Sequence, residues 1–551
     1  MPQVEDGRPR TDSFSLDVVL VRIGQFGKLQ ILIYILICIP ILLNSFQAVS
    51  YIFVASTVVH RCQIPECDKP NSTYQESWID FAIPKKLNGD LDNCRRYVSV
   101  NKNLDPCSAD AFHQSPIEEC GTDLIFRDKE VTISNDFDIF CSDEWKLAMV
   151  GTINNVGMFI GIPLGGYFAD RYGRKNILAI FGFLSAVTGV AQCFTTDFFT
   201  FMFFGLLTNL FGSSIYSIVF VLGLEMVSPK LQLIGCTIMT IVYAIGQTVF
   251  GLVAKYFLNW RLIQMIFFIP ALFQIFFLFI IPESARWLLS QGEEDRAVKV
   301  VQKLAKSNNR KLSQPTLDKL VLTYRYKLEE SNEGKFPIKE TFQILFWRIV
   351  NCCLCWFTNV LLYYGLNVNM VLLGGNKYDN FMLVSLIEIP GILLPFWTMN
   401  RFGRRYSLFG FMILSGICIA ATVFVRSELF YVQVALLLLG KMSVGASFQV
   451  LYFFTSEIFP TNVRNSLLSF CSMVGRLGSM VAPQTPVMAK YHESAPAILF
   501  SACALLSGFL AFLFPETNDT VLPSTLKEAE KIGQKKELEA DAEIQLLKTI
   551  S

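Results

Sequence analysis

The feature that most constrains this chain is a series of twelve long apolar runs. An α-helix needs about 20 apolar residues to cross a bilayer, and each run is close to that length or longer. Charged residues make up 17% of the chain, whereas soluble domains typically carry about 25%. We therefore predict an all-α membrane protein with twelve transmembrane helices, near 29–55, 146–168, 176–194, 199–223, 233–256, 262–281, 345–372, 379–399, 406–425, 429–455, 466–488 and 495–514.

A short charged turn at 165–175 (GGYFADRYGRK) joins the second and third runs. Gly173 supplies the backbone freedom that a tight reversal needs. Lys and Arg in short loops mark the cytoplasmic side of a membrane protein. With an even number of spans, both termini are then predicted to be cytoplasmic. The first run is not followed by the small-residue cleavage site of a signal peptide, so we interpret it as a retained span.

Two motifs each occur twice along the chain. The sequence MNRFGRR at 399–405 repeats the spacing of the charged turn, and PES at 282–284 is matched by PET at 515–517. Such repetition is typical of a duplicated membrane bundle. We predict a cytoplasmic N-terminus at 1–28, a six-helix bundle at 29–281 that includes an extracellular loop at 56–145, a cytoplasmic helical linker at 282–344, a second six-helix bundle at 345–515 and a cytoplasmic tail at 516–551.

The predicted extracellular loop contains six cysteines, Cys62, Cys67, Cys94, Cys107, Cys120 and Cys141. Their number is even and their location is oxidising, so we predict three disulfides. Six cysteines allow fifteen pairings, and the residues alone do not choose among them. Asn71 begins an Asn-Ser-Thr sequon in the same loop. Because the loop faces the outside, Asn71 is predicted to carry a glycan.

Nothing in the chain indicates catalysis. Its three histidines are not at metal-ligand spacing, and no nucleophile lies in a pattern with a base. We therefore expect no enzyme activity, no metal and no cofactor. The GxxxxGK[ST] loop of ATP-binding proteins is absent, which argues against ATP-driven transport. In the linker, helical spacing of apolar residues at 294–305 and 317–328 predicts amphipathic helices at the membrane face.

Ionisable residues inside the predicted spans are the main candidates for function. A charge in mid-membrane costs about 2.5–3.5 kcal/mol on insertion scales, so each needs a partner or an aqueous cavity. Glu388, just before Pro390, and Arg476 could pair with each other or hold opposite ends of a substrate. Tyrosine rings attract cations, and amides hydrogen-bond either charge. The candidate substrate-binding residues are Arg476, Glu388, Tyr363, Tyr364, Lys441, Gln449, Asn44 and Asn155.

A second set of candidates lies in the cytoplasmic turns and at the cytoplasmic helix ends. For the two glutamates of this set, a salt bridge at a gate or helix interface is a simpler role than substrate contact. The candidate gating residues are Asp170, Arg171, Gly173, Arg174, Glu225, Arg401, Arg404, Glu457 and Arg464.

These motifs resemble those of the major facilitator superfamily, and within it the organic cation, organic anion and carnitine transporters. HRC at 60–62 is similar to the entry of that family's six-cysteine loop, and FDIFC at 137–141 to its exit. PESARWLL at 282–289 and EIFPT at 457–461 resemble its signatures after the sixth and tenth spans. The charged turn alone indicates only the superfamily, whereas the set together is specific to the organic-ion branch.

The resemblance implies transport of small organic ions by alternating access, with two six-helix halves rocking around a central site. Asp170 and the arginines beside it would then lock the cytoplasmic gate while the site faces outward. The second copy of the motif has Asn400 where an acid is expected. An amide cannot form the same charged latch, so we expect the two gates to be unequal.

The resemblance also bears on the charge of the substrate. As we align them, cation transporters carry Asp at the position of Arg476 and Glu at that of Gln449. Anion transporters share the arginine but carry Lys where this chain has Ile392. Carnitine-like members combine an eighth-span Glu with the equivalents of Lys441 and Arg476. We therefore expect a zwitterion, with Arg476 facing its carboxylate and Glu388 its ammonium.

Two alternatives stay open. The chain could transport plain organic cations or anions, or it could be a membrane receptor or scaffold that no longer moves solute. The retained gating charges argue against the second alternative. The expected partners are the bilayer and a small organic ion at the plasma membrane, with a co-transported ion left open and no nucleic acid.

Overall fold

The computed structural model describes residues 16–24, 27–69, 72–85, 91–98, 107–112, 116–121, 123–331, 338–372, 375–426, 429–460, 464–517, 523 and 529–530. The N-terminal half and its loop contain α1 (Leu16–Ile23), α2 (Lys28–Asn44), α3 (Tyr51–Val54), β1 (His60–Cys62), α4 (Ile79–Ala82), β2 (Arg95–Tyr97), β3 (Ile117–Glu119), β4 (Leu124–Phe126), α5 (Ile133–Asp136), α6 (Trp145–Tyr172), α7 (Arg174–Cys193), α8 (Phe198–Glu225), α9 (Pro229–Phe257), α10 (Trp260–Ala271) and α11 (Phe277–Ile280).

The linker contains α12 (Ala285–Ser290), α13 (Glu294–Ser307), α14 (Gln314–Ser331) and α15 (Ile338–Ile344). The C-terminal half contains α16 (Phe346–Leu372), α17 (Lys377–Leu386), α18 (Glu388–Phe402), α19 (Arg404–Phe424), α20 (Phe430–Ile458), α21 (Arg464–Val481), α22 (Thr485–Tyr491) and α23 (Ala495–Ala511). Short 3₁₀ segments lie at Ala109–Ala111, Cys141–Asp143, Leu272–Phe276 and Ala482–Gln484.

In the described residues, nine helices are long and apolar enough to cross a membrane. A tenth is added if α1 and α2 are counted as one bent span. The helix α23 is apolar but shorter. The eleventh predicted run is divided among α21, the 3₁₀ segment Ala482–Gln484 and α22. The prediction of a helical membrane protein is therefore confirmed, while the count of twelve spans stays a prediction.

The predicted eighth span is one helix with a local interruption between α17 and α18. Pro390 has no amide hydrogen to bond the carbonyl four residues earlier, and its ring clashes with that carbonyl. The regular hydrogen-bond pattern therefore lapses at Ile387 and resumes at Glu388, the first residue of α18, while the backbone of Ile387 stays helical. Lys377–Phe402 together is long and apolar enough to form one span.

Each half has its own apolar core, and a third core joins the halves near the extracellular loop. This third core combines Phe53 and Phe250 of the N-terminal half with Tyr378 and Phe381 of the C-terminal half. The Phe53 ring stacks on Tyr378 with centroids 5.2 Å apart and meets Phe381 edge-on at 5.1 Å. Aromatic pairs of this kind add about 0.5–1.5 kcal/mol beyond their buried area. The two halves are therefore in firm contact at this end.

The extracellular loop is held by two small sheets and three disulfides. Strands β1 and β4 pair antiparallel, as do β2 and β3. Arg61 and Asp68 form a fully buried ion pair, with 2.7 Å between Nη2 and Oδ1. The prediction of three disulfides is confirmed. The pairs are Cys62–Cys120, Cys67–Cys107 and Cys94–Cys141. Asn71 lies outside the described residues.

The linker helices pack on the end of the N-terminal half that is predicted to be cytoplasmic. Apolar residues of α1, α12, α13 and α14 share one core with α8. Asp17 of α1 forms an ion pair with Arg286 of α12, with 2.5 Å between Oδ1 and Nη2. Asn308 donates to the carbonyl of Ile23 over 2.9 Å. The amphipathic helices predicted at 294–305 and 317–328 correspond to α13 and α14. Their packing against α1 was not predicted from the sequence.

Candidate substrate-binding site

Arg476 projects from α21, which packs closely on α16 because its glycines leave room for the neighbouring backbone. A Cβ on Gly475 would lie 3.1 Å from the carbonyl oxygen of Trp356, and one on Gly478 would overlap the Phe357 carbonyl. The guanidinium Nη1 donates to the Tyr364 hydroxyl over 3.1 Å. Nε is buried and has no hydrogen-bond partner among the described residues. Within the described chain, Arg476 forms no ion pair.

Glu388 and Lys441 form an ion pair in the interior of the C-terminal half. Lys441 Nζ lies 3.0 Å from Glu388 Oε1, and the two side chains are 0% and 5% exposed. The ammonium also donates to the Tyr363 carbonyl over 2.9 Å and lies 3.3 Å from the centre of the Tyr363 ring. The Tyr363 hydroxyl donates to Glu388 Oε2 over 2.8 Å. Tyr363 thus bridges the acid and the base.

This arrangement differs from both sequence-based interpretations of Glu388. Its carboxylate pairs with Lys441 rather than with Arg476. In this conformation it is also not free to face a substrate ammonium. The charges of Glu388 and Lys441 compensate each other. Among the described residues of the site, the positive charge of Arg476 is therefore left without a compensating acid.

Aromatic side chains surround these charged groups. In the C-terminal half, ring centroids lie 5.2 Å apart for Tyr363 and Tyr364, 5.9 Å for Tyr363 and Phe448, and 5.3 Å for Phe448 and Tyr452. The Trp356 ring meets Tyr452 edge-on at 4.5 Å. The site therefore offers several aromatic faces beside a guanidinium.

The N-terminal half contributes further tyrosines to this region. Tyr216 and Tyr243 pack edge-on with centroids 5.3 Å apart. Tyr243 lies near both Glu388 and Arg476, and Tyr216 lies near Tyr452. None of these tyrosines, nor Phe448 or Trp356, was among the residues predicted from the sequence. The spacing of Phe448 and Tyr452, one helical turn apart, was the available signal.

The predicted amide ligands divide into different roles. Asn44 donates to the Gly212 carbonyl over 2.9 Å, a link between α2 and α8. Asn155 donates to the Gly151 carbonyl in its own helix over 2.8 Å, while its buried Oδ1 has no hydrogen-bond partner in the described residues. Gln449 is half-buried on α20, two turns after Lys441. Asn44 is thus engaged in helix packing, and Asn155 keeps one free acceptor.

The charged turn of the N-terminal half, at 165–175, is part of a network of charged groups. Arg174 pairs with Asp170 at 3.0 Å and with Glu225 at 3.5 Å. Glu283 accepts from the Lys175 amide over 3.2 Å, and burial raises the pKa of its carboxyl. Gly173 has φ of +103°, and a Cβ there would overlap Glu283 Oε2. Only glycine fits this turn without strain.

The C-terminal half repeats this network with different residues. Arg404 pairs with Glu457 at 3.1 Å. Glu516 accepts from the Arg404 amide over 2.9 Å and crowds Gly403, whose φ is +84°. The Thr517 hydroxyl donates to Glu457 over 2.6 Å. The duplication inferred from the sequence therefore extends to matching contacts.

Three other predicted gating arginines have separate environments. The Arg171 guanidinium donates to the Tyr167 hydroxyl over 3.0 Å, and that of Arg401 lies 5.8 Å from the Trp397 ring centre. Arg464 Nε donates to the Phe459 carbonyl over 3.4 Å.

Ion pairs between the halves lie at the extracellular end. In the described part of the chain, Lys377 of α17 pairs with Glu130 of the loop, and Asp379 of α17 pairs with Lys255 of α9 at 2.7 Å. Lys377 Nζ lies 2.7 Å from Glu130 Oε1. The Thr152 hydroxyl also donates across the halves to the Met480 carbonyl over 3.2 Å. These contacts join the two halves at the end that carries the disulfide-bonded loop.

One group of potential metal ligands occurs in the described residues. It combines His60 with Cys94 and Cys141. The two cysteines are joined in a disulfide and so have no thiolate to offer a metal. This group is therefore part of the loop framework.

Comparison with known proteins identifies the family. The family model described as "Sugar (and other) transporter" matches residues 93–526. Organic cation/carnitine transporter 2 of Rattus norvegicus is 30% identical over 523 residues, covering 93% of each chain. Solute carrier family 22 member 3 of Mus musculus is 28% identical, covering 94% of this chain and 96% of that protein. The chain belongs to solute carrier family 22 of the major facilitator superfamily.

Membership in solute carrier family 22 confirms the resemblance drawn from the motifs. The chain is thus a multi-pass membrane transporter of small molecules and not an enzyme. The xylose transporter XylE from E. coli, in its inward open conformation, matches with a TM-score of 0.60 at 16% identity, covering 91% of this chain and 99% of that one. This likeness confirms the major facilitator fold and gives no information about the substrate.

Proposed function

We propose that this member of solute carrier family 22 transports a small zwitterion of the carnitine type across the plasma membrane by alternating access. Both termini lie in the cytoplasm in this proposal. The observation that carries it is Arg476, which lies in a predicted span. Within the part of the chain that the structure describes, it has one neutral hydrogen-bond partner and a buried Nε without any. Charged residues inside a membrane protein are normally paired. The substrate carboxylate would supply the missing partner.

Arginine suits this role for geometric reasons. Its planar guanidinium presents parallel N–H groups that match the two oxygens of a carboxylate. Tyr364 holds Nη1 and so orients the group. A lysine would offer a point charge without this match.

The ammonium end of the zwitterion is assigned to aromatic faces and not to Glu388. Lys441 already occupies the carboxylate of Glu388. Phe448 and Tyr452 instead provide ring faces in the same aromatic group as Tyr363, whose own ring already lies against the Lys441 ammonium. Aromatic faces bind quaternary ammonium groups by cation–π attraction. The presence of an organic cation/carnitine transporter among the relatives is consistent with such a substrate.

Alternating access would use the ion pairs at the two ends of the bundle. The pairs Glu130–Lys377 and Lys255–Asp379 join the halves outside and would have to break when the site opens outward. The cytoplasmic pairs of Arg174 and Arg404 each lie within one half. In the outward-facing state, these charged turns would meet and close the cytoplasmic gate.

The test is uptake of labelled carnitine, tetraethylammonium and glutarate by cells that express the chain, with surface level measured in parallel. We expect carnitine uptake above that of untransfected cells and above that of the other two probes. Preference for tetraethylammonium would contradict the proposal, because no acid in the described site is free to bind a cation.

A second candidate is transport of organic anions. The observation that favours it is that the charges of Glu388 and Lys441 compensate each other. The site then keeps the positive charge of Arg476. In that case glutarate uptake would exceed carnitine uptake, and both would depend on Arg476. The three-probe experiment separates the two candidates directly.

A further inference from the structure

A group of thiols lies between α16 and α21, in the two helices that carry Tyr364 and Arg476. Cys353 Sγ lies 3.7 Å from Cys471 Sγ. Neither residue is in a disulfide. The transport mechanism proposed above uses neither thiol.

The α16–α21 interface continues from these thiols as a line of close contacts. Cys471 faces Cys353, and one turn later Gly475 lies against Trp356. Gly478 then lies against Phe357. The two helices thus run parallel, and their contacts follow one another in chain order. Cys353 and Cys471 are the first of these contacting pairs. A disulfide needs a sulfur–sulfur distance of about 2.0 Å, so the two side chains have to approach by less than ~2 Å.

We propose that Cys353 and Cys471 are a redox-sensitive pair that closes to a disulfide when the cell is exposed to hydrogen peroxide. One thiolate attacks peroxide, which breaks the O–O bond, gives a sulfenic acid and releases hydroxide that takes up a proton to become water. The second thiol attacks the sulfenic sulfur, the S–S bond forms and a second water leaves. Peroxide is reduced to two waters, and two thiols are oxidised to one disulfide.

The cross-link would act on the substrate site through the helices that build it. Arg476 follows Cys471 by five positions on α21, and its hydrogen bond to Tyr364 crosses the same helix interface. A covalent bond between the helices removes any sliding of one past the other. The cytosol keeps thiols reduced, so the open pair is the resting form. Oxidation would thus restrain the part of the site that holds the substrate carboxylate.

The test uses purified full-length protein treated with hydrogen peroxide, alkylated and digested with trypsin without reduction. The peptide 465–476 contains Cys471 as its single cysteine, and the peptide 349–377 contains Cys352, Cys353 and Cys355. We expect these two peptides to appear linked, and the link to disappear after dithiothreitol. Hydrogen–deuterium exchange of both peptides should slow in proportion to the linked fraction, a readout that requires no substrate.

Three variants test which cysteines form the disulfide. Cys353→Ser and Cys471→Ser should each abolish the linked peptide and the change in exchange. Cys355→Ser should keep both, because the Cys355 thiol contacts Ser507 on α23 instead. Absence of a linked peptide in the wild type would overturn the proposal, as would a link that survives Cys353→Ser. Linked peptides with unchanged exchange would overturn the claim that closure restrains the helices.

Discussion

The buried ion pair between Lys441 and Glu388 leads to a sharp prediction about stability. Removing one partner should destabilise the protein far more than removing both. Lys441 has no exposed surface, and its ammonium contacts Glu388 Oε1 at 3.0 Å and the Tyr363 carbonyl at 2.9 Å. Replacing lysine with methionine keeps the apolar stem and deletes the charge. The Glu388 carboxylate then keeps the Tyr363 hydroxyl as its remaining described side-chain partner.

The expected magnitude follows from the burial of both groups. Leaving one charge of a buried pair without its partner costs about 3–5 kcal/mol. At about 1.4 kcal/mol per factor of ten, this is roughly two to three and a half orders of magnitude in the folding equilibrium. The double variant Lys441→Met with Glu388→Gln has no buried charge at this place. Replacing both partners of a buried pair is often neutral, so the double variant should be close to wild type.

The assay is thermal unfolding of the detergent-purified protein, with the surface level in cells as a second readout. Tyr363→Phe is the matched control, because it removes one hydrogen bond to the carboxylate and leaves both charges in place. Its expected cost is smaller, about 1.5–3 kcal/mol. A double variant as unstable as Lys441→Met, or a stable Lys441→Met protein, would refute the reasoning.

Four other predictions concern single positions. Arg476→Ala should lower carnitine uptake more than tenfold at equal surface level, since a desolvated charge pair is worth about 2–5 kcal/mol, and Arg476→Lys should not restore it fully. Asn71→Gln should lower the apparent mass on a gel, and an unchanged mass together with no effect of deglycosylation would contradict the glycan. Lys377→Glu should alter uptake by opening the extracellular end, and adding Glu130→Lys should restore it if the pair acts as a latch. Gly173→Ala should reduce surface expression, since φ of +103° costs a residue with a Cβ about 1–3 kcal/mol; an unchanged level would argue against a strained turn.

Much of the architecture is determined by features that are local in the sequence. An apolar run near 20 residues long has to be helical in a bilayer, because water is not there to bond its backbone groups. The basic turn at 165–175 and its repeat at 399–405 similarly reveal the duplication without any knowledge of packing. The even number of loop cysteines predicted three disulfides, whereas their pairing needed the folded loop.

The partners of the buried charges were decided by tertiary structure alone. Glu388 and Arg476 both appeared as isolated charges in apolar runs, and sequence spacing gave no reason to choose Lys441 over Arg476 as the partner of Glu388. The choice depends on how α18, α20 and α21 are rotated about their axes. The packing of their apolar faces and the close contacts at their glycines together set these rotations. Side chains far apart in sequence meet only once those faces pack, and for this reason the unpaired state of Arg476 could not be predicted from the sequence.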